Sequence, residues 1–536
     1  MSGTVHRASA ALASGTIVSR LLGFVNVSVL AAVIGVTQPG PNAFALANQL
    51  PTYIYAIVAG GLLSAILVPH IVKAATQSDG GQAFVNRLVT LGIAAFLATT
   101  VIATLAAPLI VRLYALGSRE GALAGGGLEL AVSLAYWCLP QIFFYAVYAL
   151  VGEVLNARGV FGPAAWAPAL NNVVMIGTLA VFAALFGVVP AHDLAASWTT
   201  ERIAILAGGA TLGVALQALL LVFFWRRTGL RFRPDFHWRG AGLGAPARAA
   251  GWVFGMVVVI QITNLVQTNV ASTTDPDDAS LAVLRVTWLI FMLSHSIIAI
   301  SIATPYFTRM AAAVRDADIP ALRADLSASL RSIAMLVAAA GAALVAAAIP
   351  FARFFAVDDS EARVIAIVLL AFLVGLVPFS TLYVVQRAFY ALGDTRTPFV
   401  LQVVQGVLFI GGALALLAAP SAWIAAGIGV VTSLSVIVQA VAGAVVLRRR
   451  LGGGGRRIVR RFGVFALATI PAAAAGVGIL ALLGGFDPEG FATADRFEGI
   501  VTTAAVGATA ILVFFAALAA SRAPELRGVL ASIRRN

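Results

Sequence analysis

An arginine lies deep inside the first long apolar run of this sequence. Arg20 stands about nine residues into the run 11–36, about 13 Å of helix rise from its start. A charge at that depth costs at least about 2.5–3.5 kcal/mol on membrane-insertion scales and usually faces a polar cavity. Arg20 is therefore predicted to bind an anionic ligand. The alternative is a structural arginine that bonds to carbonyl groups or to a polar group of a neighbouring helix.

The run 279–308 carries two further ionisable side chains. Arg285 lies near the start of this run, where the aspartates of the preceding loop 275–278 could pair with it. Arg285 is either a substrate-binding cation or an interfacial side chain that extends to the membrane surface. His295 is either a substrate-binding or proton-linked group, or a histidine whose hydrogen bonds are satisfied within the core.

Amide and hydroxyl side chains recur inside the apolar runs. Gln261, Asn264 and Thr268 stand at positions i, i+3 and i+7 and would share one helix face. Further amides occur in other runs, at Asn48, Gln49, Asn171, Asn172, Gln402 and Gln405. Single amides commonly hold membrane helices together. As a set they predict a hydrated interior, and the predicted substrate-binding side chains among them are Asn48, Gln49, Gln261, Asn264 and Thr268.

Two stretches of the chain resemble each other, Tyr148–Pro163 and Tyr383–Pro398, and both pass through a charged turn that contains glycine. A second pair, around Pro69 and Pro305, stands at nearly the same separation. The pattern predicts a duplicated unit of the kind that builds many transporters, whereas chance self-similarity is the alternative. The polar residues of the two hairpins are predicted to hold a gate, unless they are solvated turns: Glu153, Asn156, Arg158, Arg387, Asp394 and Arg396.

The composition places the chain in a membrane. Hydrophobic residues make up 61% of its 536 residues and charged residues 11%, whereas soluble proteins have about 45–50% and about 25%. The net charge is +13, and the basic residues collect in short loops between apolar runs. They form no patch interleaved with aromatic residues of the kind that binds nucleic acid, so no nucleic-acid partner is predicted. The single cysteine, Cys138, excludes an intramolecular disulfide. No P-loop, HExxH motif or metal-ligand spacing occurs, so the sequence predicts no cofactor, no metal site and no enzyme.

The apolar runs are long enough to cross a bilayer about 30 Å thick, and spans of this length are helices. They number about fourteen, namely 11–36, 43–72, 84–114, 129–156, 160–188, 202–226, 247–273, 279–308, 323–354, 362–391, 397–419, 422–447, 462–485 and 499–521. The predicted fold is an all-α integral membrane protein with two pseudo-symmetric six-helix lobes plus two C-terminal helices. The expected boundaries are 1–228 for the N-lobe, 229–450 for the C-lobe, and 451–536 for a linker, the last two helices and a tail.

The loops alternate in charge along the chain. Arginines collect in loops such as 226–239 and 448–461, whereas acidic residues collect in loops such as 275–278 and 358–361. By the positive-inside rule, both termini are predicted to be cytoplasmic. The arginines of 448–461 are expected to lie against anionic lipid headgroups.

Several motifs together resemble the MurJ (MviN) family of lipid II flippases, within the MOP exporter superfamily. They are SRLLGF at Ser19–Phe24, ANQLP at Ala47–Pro51, the VP of Val68 and Pro69, GEVLNARGVFGPAAWAPALNN at Gly152–Asn172, and FYALGDTRTP at Phe389–Pro398. The resemblance implies a bacterial inner-membrane protein whose central cavity alternates between its two openings. It also implies a substrate, the undecaprenyl-pyrophosphate-linked peptidoglycan precursor, and a groove for its lipid tail beside helices 13 and 14.

The resemblance also bears on single residues. Arg20 matches the family's first-helix arginine, thought to bind pyrophosphate, whose paired oxygens suit a planar guanidinium. The family's other basic positions fall at Asn26 or Val27, near Tyr55 and near Leu289, which leaves Arg285 as the candidate substitute. Its acidic position in the second helix falls at Gly60, and the carboxylates of a sodium site in helices 7 and 11 do not occur here.

The sequence thus predicts a flippase that carries lipid II outward by alternating access, with membrane lipids and proteins of cell-wall synthesis as further partners. A same-fold exporter of another polyprenyl-linked glycan, or of small cations or drugs, is one alternative. A transport-inactive cell-wall scaffold is another. A polyprenyl-using glycosyltransferase would need an acidic or metal-binding pair near an outer helix end, for which Asp275, Asp277 and Asp278 are the candidates.

Overall fold

The structure is a computed structural model that describes residues 2–62, 79–117, 121–160, 162–189, 194–237, 247–356, 358–452, 455–487, 490–491, 496–523 and 525. All regular elements in these ranges are helices. In the first half of the chain they are α1 (Ser2–Ile34), α2 (Pro39–Leu62), α3 (Gln82–Leu105), α4 (Ala107–Tyr114), α5 (Gly127–Cys138), α6 (Gln141–Ala157), α7 (Gly162–Phe186), α8 (Thr200–Phe224) and α9 (Ala247–Ala271). In the second half they are α10 (Leu281–His295), α11 (Ser301–Arg315), α12 (Ile319–Ala346), α13 (Ala348–Ala352), α14 (Asp359–Leu373), α15 (Leu376–Ala391), α16 (Arg396–Ala415), α17 (Ser421–Leu451), α18 (Gly455–Leu482) and α19 (Arg496–Ala520).

The lengths and apolar composition of these helices confirm the prediction of an all-α membrane protein. Within the described residues, eleven helices are long and apolar enough to cross a bilayer, and α14 with α15, bent by 43°, makes a twelfth. The predicted span 11–36 overlaps α1, whose apolar segment is Val18–Ile34, and 43–72 overlaps α2 as far as Leu62; residues 63–72 lie outside the described residues. Helices satisfy their own backbone groups, which lipid cannot do.

Several predicted spans are interrupted. The run 129–156 breaks at Leu139 and Pro140, because proline cannot donate the next helical hydrogen bond. A π-helix, Ser296–Ile300, joins α10 to α11. Such a local widening of the helix often marks a functional position.

The chain divides into two compact units, Met1–Ala282 and Val283–Asn536. This division groups α9 with the first unit, whereas the sequence analysis assigned that span to the C-lobe. The lobe boundaries remain a prediction.

Small residues allow close helix packing in both units. In the first unit, α1 packs on α7, α7 on α8, and α3 on α6. A Cβ atom at Gly92 of α3 would lie 2.6 Å from Leu150 of α6, and one at Gly209 of α8 would lie 2.2 Å from Thr178 of α7. In the second unit, an alanine face of α12 packs on Phe465 and Phe514 of the last two helices. Lipid provides little hydrophobic drive between helices, so contacts of this kind hold them together.

A segment without regular secondary structure, Leu230–His237, lies along the start of α3. Its alternate backbone N–H groups donate to side chains of α3: Arg231 to Gln82 (2.9 Å), Arg233 to Asn86 (3.2 Å) and Asp235 to Thr90 (3.0 Å). Arg87 also donates to the Asp235 carboxylate at 2.8 Å. The backbone N–H of His237 and then Arg87 hold the pKa of that carboxyl well below its usual range. The segment before α9 is thereby fastened to α3.

The two similar hairpins share one turn geometry. In the first hairpin, Gly159 N–H donates to Asn156 O (3.0 Å) and Val160 N–H donates to Leu155 O (2.8 Å). In the second hairpin, Gly393 N–H donates to Tyr390 O (3.0 Å) and Asp394 N–H donates to Phe389 O (2.9 Å). Both glycines are left-handed, with φ of 77° and 72°. This is a helix C-terminal motif in which glycine avoids the cost of a Cβ atom. The same pair of bonds also ends α18, at Gly484 and Gly485, so it does not distinguish a repeat, and the duplication stays a prediction. The pair around Pro69 and Pro305 is not comparable, since Pro69 lies outside the described residues.

The packing of α7 on α8 gives a first prediction. Gly209→Ala should lower the free energy of unfolding by about 1–3 kcal/mol, because the new methyl group would overlap Thr178. Gly177→Ala is the matched control: it adds the same methyl group to α7, where no neighbouring atom lies within 4 Å. Its effect should stay within about 1 kcal/mol. Thermal unfolding of both purified variants in one detergent would measure this, and equal midpoints would contradict the packing.

Candidate functional site

Arg20 is partly exposed on α1. Among the described residues, no group forms a hydrogen bond or ion pair with its guanidinium. The adjacent backbone is fixed, because the side chain of Asn172 on α7 donates to Ser19 O at 3.0 Å and accepts from Asn26 at 3.2 Å. Two of the sequence motifs, SRLLGF and the one that ends at Asn172, therefore meet in space. They hold an unpaired cation on a fixed helix, which is what an anion site requires.

Two positions that the resemblance implies to be basic hold other residues, Asn26 and Tyr55. Asn26 bonds to Asn172, and its Oδ1 atom is buried without a partner in the part of the chain that the structure describes. Tyr55 lies among aromatic rings, with ring centroids 5.7 Å from Phe96 and 5.9 Å from Tyr145. Neither position supplies a second cation next to Arg20.

Asn48 belongs to a buried polar network that sequence reasoning did not find. Its centre is Gln141, which is 1% exposed and donates to Asn48 (3.2 Å) and to Thr211 (3.1 Å). Tyr145 donates to Gln141 in turn, at 3.3 Å. The network joins α2, α6 and α8, so Asn48 contributes to helix association. Gln49, next to it, is half-buried. The signal for Gln141 in the sequence was an amide directly after the helix-breaking Pro140.

The predicted stripe on α9 is largely satisfied within its own helix. Asn264 donates to the Gln261 side chain at 3.2 Å, and Thr268 donates to Asn264 O at 2.8 Å. Gln261 and Thr268 are buried. Asn269, which the sequence analysis did not select, fastens α9 to the end of α4: it accepts from Leu116 N–H (2.7 Å) and donates to Leu113 O (2.9 Å).

In the second unit, His295 is buried at the end of α10. Its Nδ1 lies 3.0 Å from the Ser380 hydroxyl oxygen, and its ring packs edge-on against Phe379 at a centroid distance of 4.7 Å. This environment is typical of a structural histidine that joins α10 to α15. Arg285 lies half-buried on the same helix, ten residues earlier.

The amides of α16 also bond to their neighbours. Gln402 donates to Gln405 (2.8 Å), Gln405 to Ser435 (3.1 Å), and Gln439 to Gln402 (3.2 Å). All four side chains are buried. They therefore join α16 to α17.

At the first hairpin, Glu153 and Arg158 do not form an ion pair with each other. Arg158 donates to Gly80 O, in the loop before α3. Glu153 is half-buried and has no hydrogen-bond or ion-pair partner within the described ranges. Its carboxylate is near enough to interact electrostatically with Tyr55 and Tyr148. Asn156 supplies the carbonyl that accepts from Gly159.

At the second hairpin, Asp394 bonds to Arg450 at the end of α17. Asp394 also accepts from Thr397 N–H (2.9 Å) at the start of α16, and Arg450 donates to the Thr397 hydroxyl (3.0 Å). Burial raises the pKa of Asp394, but the Thr397 hydrogen bonds and the Arg450 cation outweigh it, and the pKa is lowered. Arg387 instead donates to the Tyr383 hydroxyl at 2.7 Å. Arg396 is exposed at the first position of α16.

Comparison with known proteins decides which family this architecture represents. The family model described as "Lipid II flippase MurJ" matches residues 30–518. The chain belongs to the MurJ family. The match begins after Arg20, so it does not depend on that arginine. The family is one of transporters, not enzymes, and its members together with the many apolar helices make this a multi-pass inner-membrane protein.

Individual MurJ relatives cover most of the chain. A probable lipid II flippase MurJ of Haemophilus influenzae is 28% identical over 444 residues, 79% of this chain and 82% of the relative. The lipid II flippase MurJ of Burkholderia cenocepacia is 27% identical over 418 residues, 76% and 77% of the two chains. The inward closed structure of a lipid II flippase MurJ superimposes with a TM-score of 0.71 at 18% identity, over 94% of this chain and 97% of that one. A multidrug MATE transporter of the MOP superfamily gives 0.63 at 18% identity, over 81% and 94%.

The Asp394–Arg450 pair gives a second prediction. Asp394→Ala should lower stability by about 1–2 kcal/mol at pH 7, because it removes both the helix cap and the ion pair. The folded-state pKa of Asp394 is lowered, so the ion pair's contribution is complete above the unfolded pKa of about 3.9 and is lost as pH falls below it. Unfolding midpoints of wild type and Asp394→Asn, which keeps an amide cap, should therefore differ at pH 7 and converge only as pH falls below about 4.

The triplet of arginines at the end of α17 supplies the control. Arg450→Gln should destabilise about as much as Asp394→Asn, and the double variant should add little, because the two residues share one interaction. Arg449→Gln removes the same charge from an exposed neighbour and should leave the midpoint unchanged. Fully additive effects of Asp394→Asn and Arg450→Gln would contradict the pairing.

Proposed function

We propose that this protein moves lipid II, the lipid-linked peptidoglycan precursor, from the inner to the outer leaflet of the cytoplasmic membrane by alternating access. The observation that carries the proposal is the family match over residues 30–518, together with relatives described as lipid II flippases that cover about three quarters of the chain. Membrane lipids surround the protein during this reaction. Proteins of cell-wall synthesis are proposed as its partners.

Arg20 is the proposed anchor for the pyrophosphate of the substrate. Its guanidinium has no partner among the described residues, and the bonds of Asn172 to Ser19 and Asn26 fix the helix that carries it. A planar guanidinium can donate two parallel hydrogen bonds to phosphate oxygens, which a lysine cannot do. Such charge-assisted bonds contribute about 1.5–3 kcal/mol each. Arg285 is proposed as a second contact for the anionic headgroup.

The amide side chains are proposed to contact the sugars and peptide of the substrate only where they still have a free hydrogen-bond donor or acceptor. Gln49 is half-buried, and Asn264 still has acceptor capacity on its Oδ1 atom. Asn48, Gln261, Thr268 and His295 are held in local hydrogen bonds, and their proposed role is to shape the helices that carry the exposed groups.

We place both termini in the cytoplasm, which puts the two hairpins on the cytoplasmic side as gate elements. In this orientation the membrane potential, negative inside, favours outward movement of an anionic headgroup by about 2.3 kcal/mol per charge per 100 mV. The sequence contains no P-loop that could supply energy from ATP. The potential is therefore the proposed driving force.

Glu153 favours a second candidate, an exporter of the same fold that exchanges its substrate for a cation. A half-buried carboxylate without a partner in the described part of the chain can take up a proton or a metal cation. Loss of transport in Glu153→Gln together with normal transport in Arg20→Ala would favour this candidate over the flippase with an arginine anchor.

The test is surface exposure of lipid II in cells depleted of their own flippase and supplied with this chain. Wild type should restore exposure. Arg20→Ala should reduce it roughly tenfold or more, as expected for the loss of one charge-assisted contact, and Arg20→Lys should restore only part of it. Arg449→Ala is the matched control and should behave as wild type. The amount of each variant in the membrane must be equal.

A well-expressed wild type that exposes no lipid II would contradict the proposed substrate. Full exposure by Arg20→Ala would leave the flippase proposal intact and would remove Arg20 from the site.

A further inference from the structure

We propose that the first unit contains a binding site for a primary ammonium group, formed by the Glu153 carboxylate of α6 and the Tyr55 hydroxyl of α2. Both residues belong to Met1–Ala282. The assignment of the site to the peptide of the substrate rests on the proposed function, whereas the site itself can be tested with a small amine.

Glu153 is a carboxylate without a protein counterion. It is half-buried on α6, and no residue that the structure describes forms a hydrogen bond or an ion pair with it. Two arginines of the same region are bound elsewhere: Arg158, at the end of α6, donates to Gly80 O, and Arg87, on the neighbouring helix α3, donates to Asp235 at 2.8 Å. Because a charge that is partly removed from water needs a partner, a cation from outside the chain would stabilise this carboxylate.

Two tyrosines supply further acceptors beside the carboxylate. Glu153 is near enough to interact electrostatically with Tyr55 of α2 and with Tyr148 of its own helix. The Tyr55 hydroxyl forms no hydrogen bond within the described part of the chain, and the residue is half-buried, so a ligand can reach it. The Tyr148 hydroxyl donates to Ala164 O at 2.9 Å, which leaves its oxygen able to accept. Acceptors from two helices therefore surround one negative charge.

The ring of Tyr55 is held in place by aromatic neighbours. Its centroid lies 5.7 Å from that of Phe96 on α3 and 5.9 Å from that of Tyr145 on α6. Tyr145 is itself fixed by its hydrogen bond to Gln141, at 3.3 Å. A hydroxyl on a fixed ring loses little conformational freedom when it binds a ligand. The faces of such rings also attract cations.

These groups suit a primary ammonium better than other cations. An ammonium group carries one positive charge and three N–H donors, which match the carboxylate and the two phenol oxygens. A quaternary ammonium has no N–H donor and would leave these acceptors without a partner. A metal ion such as Ca²⁺ takes about six to eight oxygen ligands, and the described residues contain no group of three His, Cys, Asp or Glu side chains that could hold one.

The charge of this site is opposite to that of Arg20 in the same unit. A peptidoglycan precursor carries a pyrophosphate at one end of its headgroup. A precursor whose peptide contains lysine carries a primary ammonium group at the other end. With lipid II as the substrate, Arg20 would bind the pyrophosphate and Glu153 the ammonium, so that the two opposite charges orient the headgroup.

The first experiment measures the binding of an amine to the purified full chain in detergent. The probe is monodansylcadaverine, a fluorescent primary amine, and the neutral reference is N-butyl dansylamide, which lacks the ammonium group. Fluorescence anisotropy should show that wild type binds the amine roughly tenfold more tightly than the reference, as expected for one charge-assisted contact. Glu153→Gln, which has almost the same shape, should bind the amine roughly tenfold more weakly and lose the preference.

Three more variants separate the parts of the site. Tyr55→Phe keeps the ring and removes one neutral acceptor, so it should weaken amine binding by about two- to tenfold. Glu153→Asp keeps the charge on a shorter side chain and should retain part of the preference. Glu129→Gln is the matched control, because it removes the same charge from an exposed glutamate of α5, and it should bind both probes as wild type does. Thermal unfolding of each variant checks that its fold is intact.

The second experiment connects the site to the substrate. Lipid II with a free lysine amine, and lipid II in which that amine is acetylated, are titrated into the purified wild type and Glu153→Gln. Wild type should bind the free-amine form roughly tenfold more tightly, and Glu153→Gln should bind the two forms equally.

Equal binding of the two dansyl probes to wild type would overturn the ammonium site, and so would an equal loss of amine binding in Glu129→Gln and Glu153→Gln. Equal binding of the two forms of lipid II to wild type would overturn the assignment to the substrate peptide. A wild type that binds neither form of lipid II would contradict the proposed function, whereas the dansyl probes would still decide the ammonium site. The two failures are therefore distinguishable.

Discussion

Polar groups inside a bilayer must find their partners within the protein, because the hydrocarbon offers none. In this protein that constraint is met by side chains that bond between helices. Gln141 joins α2, α6 and α8, and the glutamines at 402, 405 and 439 join α16 to α17. Once these groups are paired, the remaining unpaired polar groups become informative. Arg20 and Glu153 stand out because the described protein does not satisfy them.

The helical fold was largely predictable because it depends on the apolar composition of long runs of residues. Runs of about 20 apolar residues fix the helices, and the glycines at 159 and 393 fix the two hairpin turns. Interruptions were predictable only in part. The break at Pro140 follows from proline chemistry, whereas the π-helix Ser296–Ile300 contains no residue that requires it. Its cause lies in packing that the local sequence does not show.

The pairing of polar residues was much less predictable, because a partner is selected by tertiary contact. Glu153 and Arg158 are near in sequence but do not pair, since Arg158 reaches Gly80 instead. Asp394 lies near Arg396 in the chain but bonds to Arg450, one of the arginines of 448–461 that the sequence analysis expected to lie against lipid headgroups. Long flexible side chains reach equally well to several elements, so proximity in sequence gives little information about their partners.

In the segment Leu230–His237, the spacing of the backbone amides matches the spacing of side chains on α3. Side chains four residues apart on a helix are separated by about 6 Å, and alternate residues of an extended chain by about 6.6 Å. Gln82, Asn86 and Thr90 therefore accept one hydrogen bond each, from the backbone N–H groups of residues 231, 233 and 235. This holds the chain before α9 to α3, while Asn269 holds the other end of α9 to α4. Both ends of α9 are therefore bonded to elements of the first unit, while the lobe boundary at residue 228 stays a prediction.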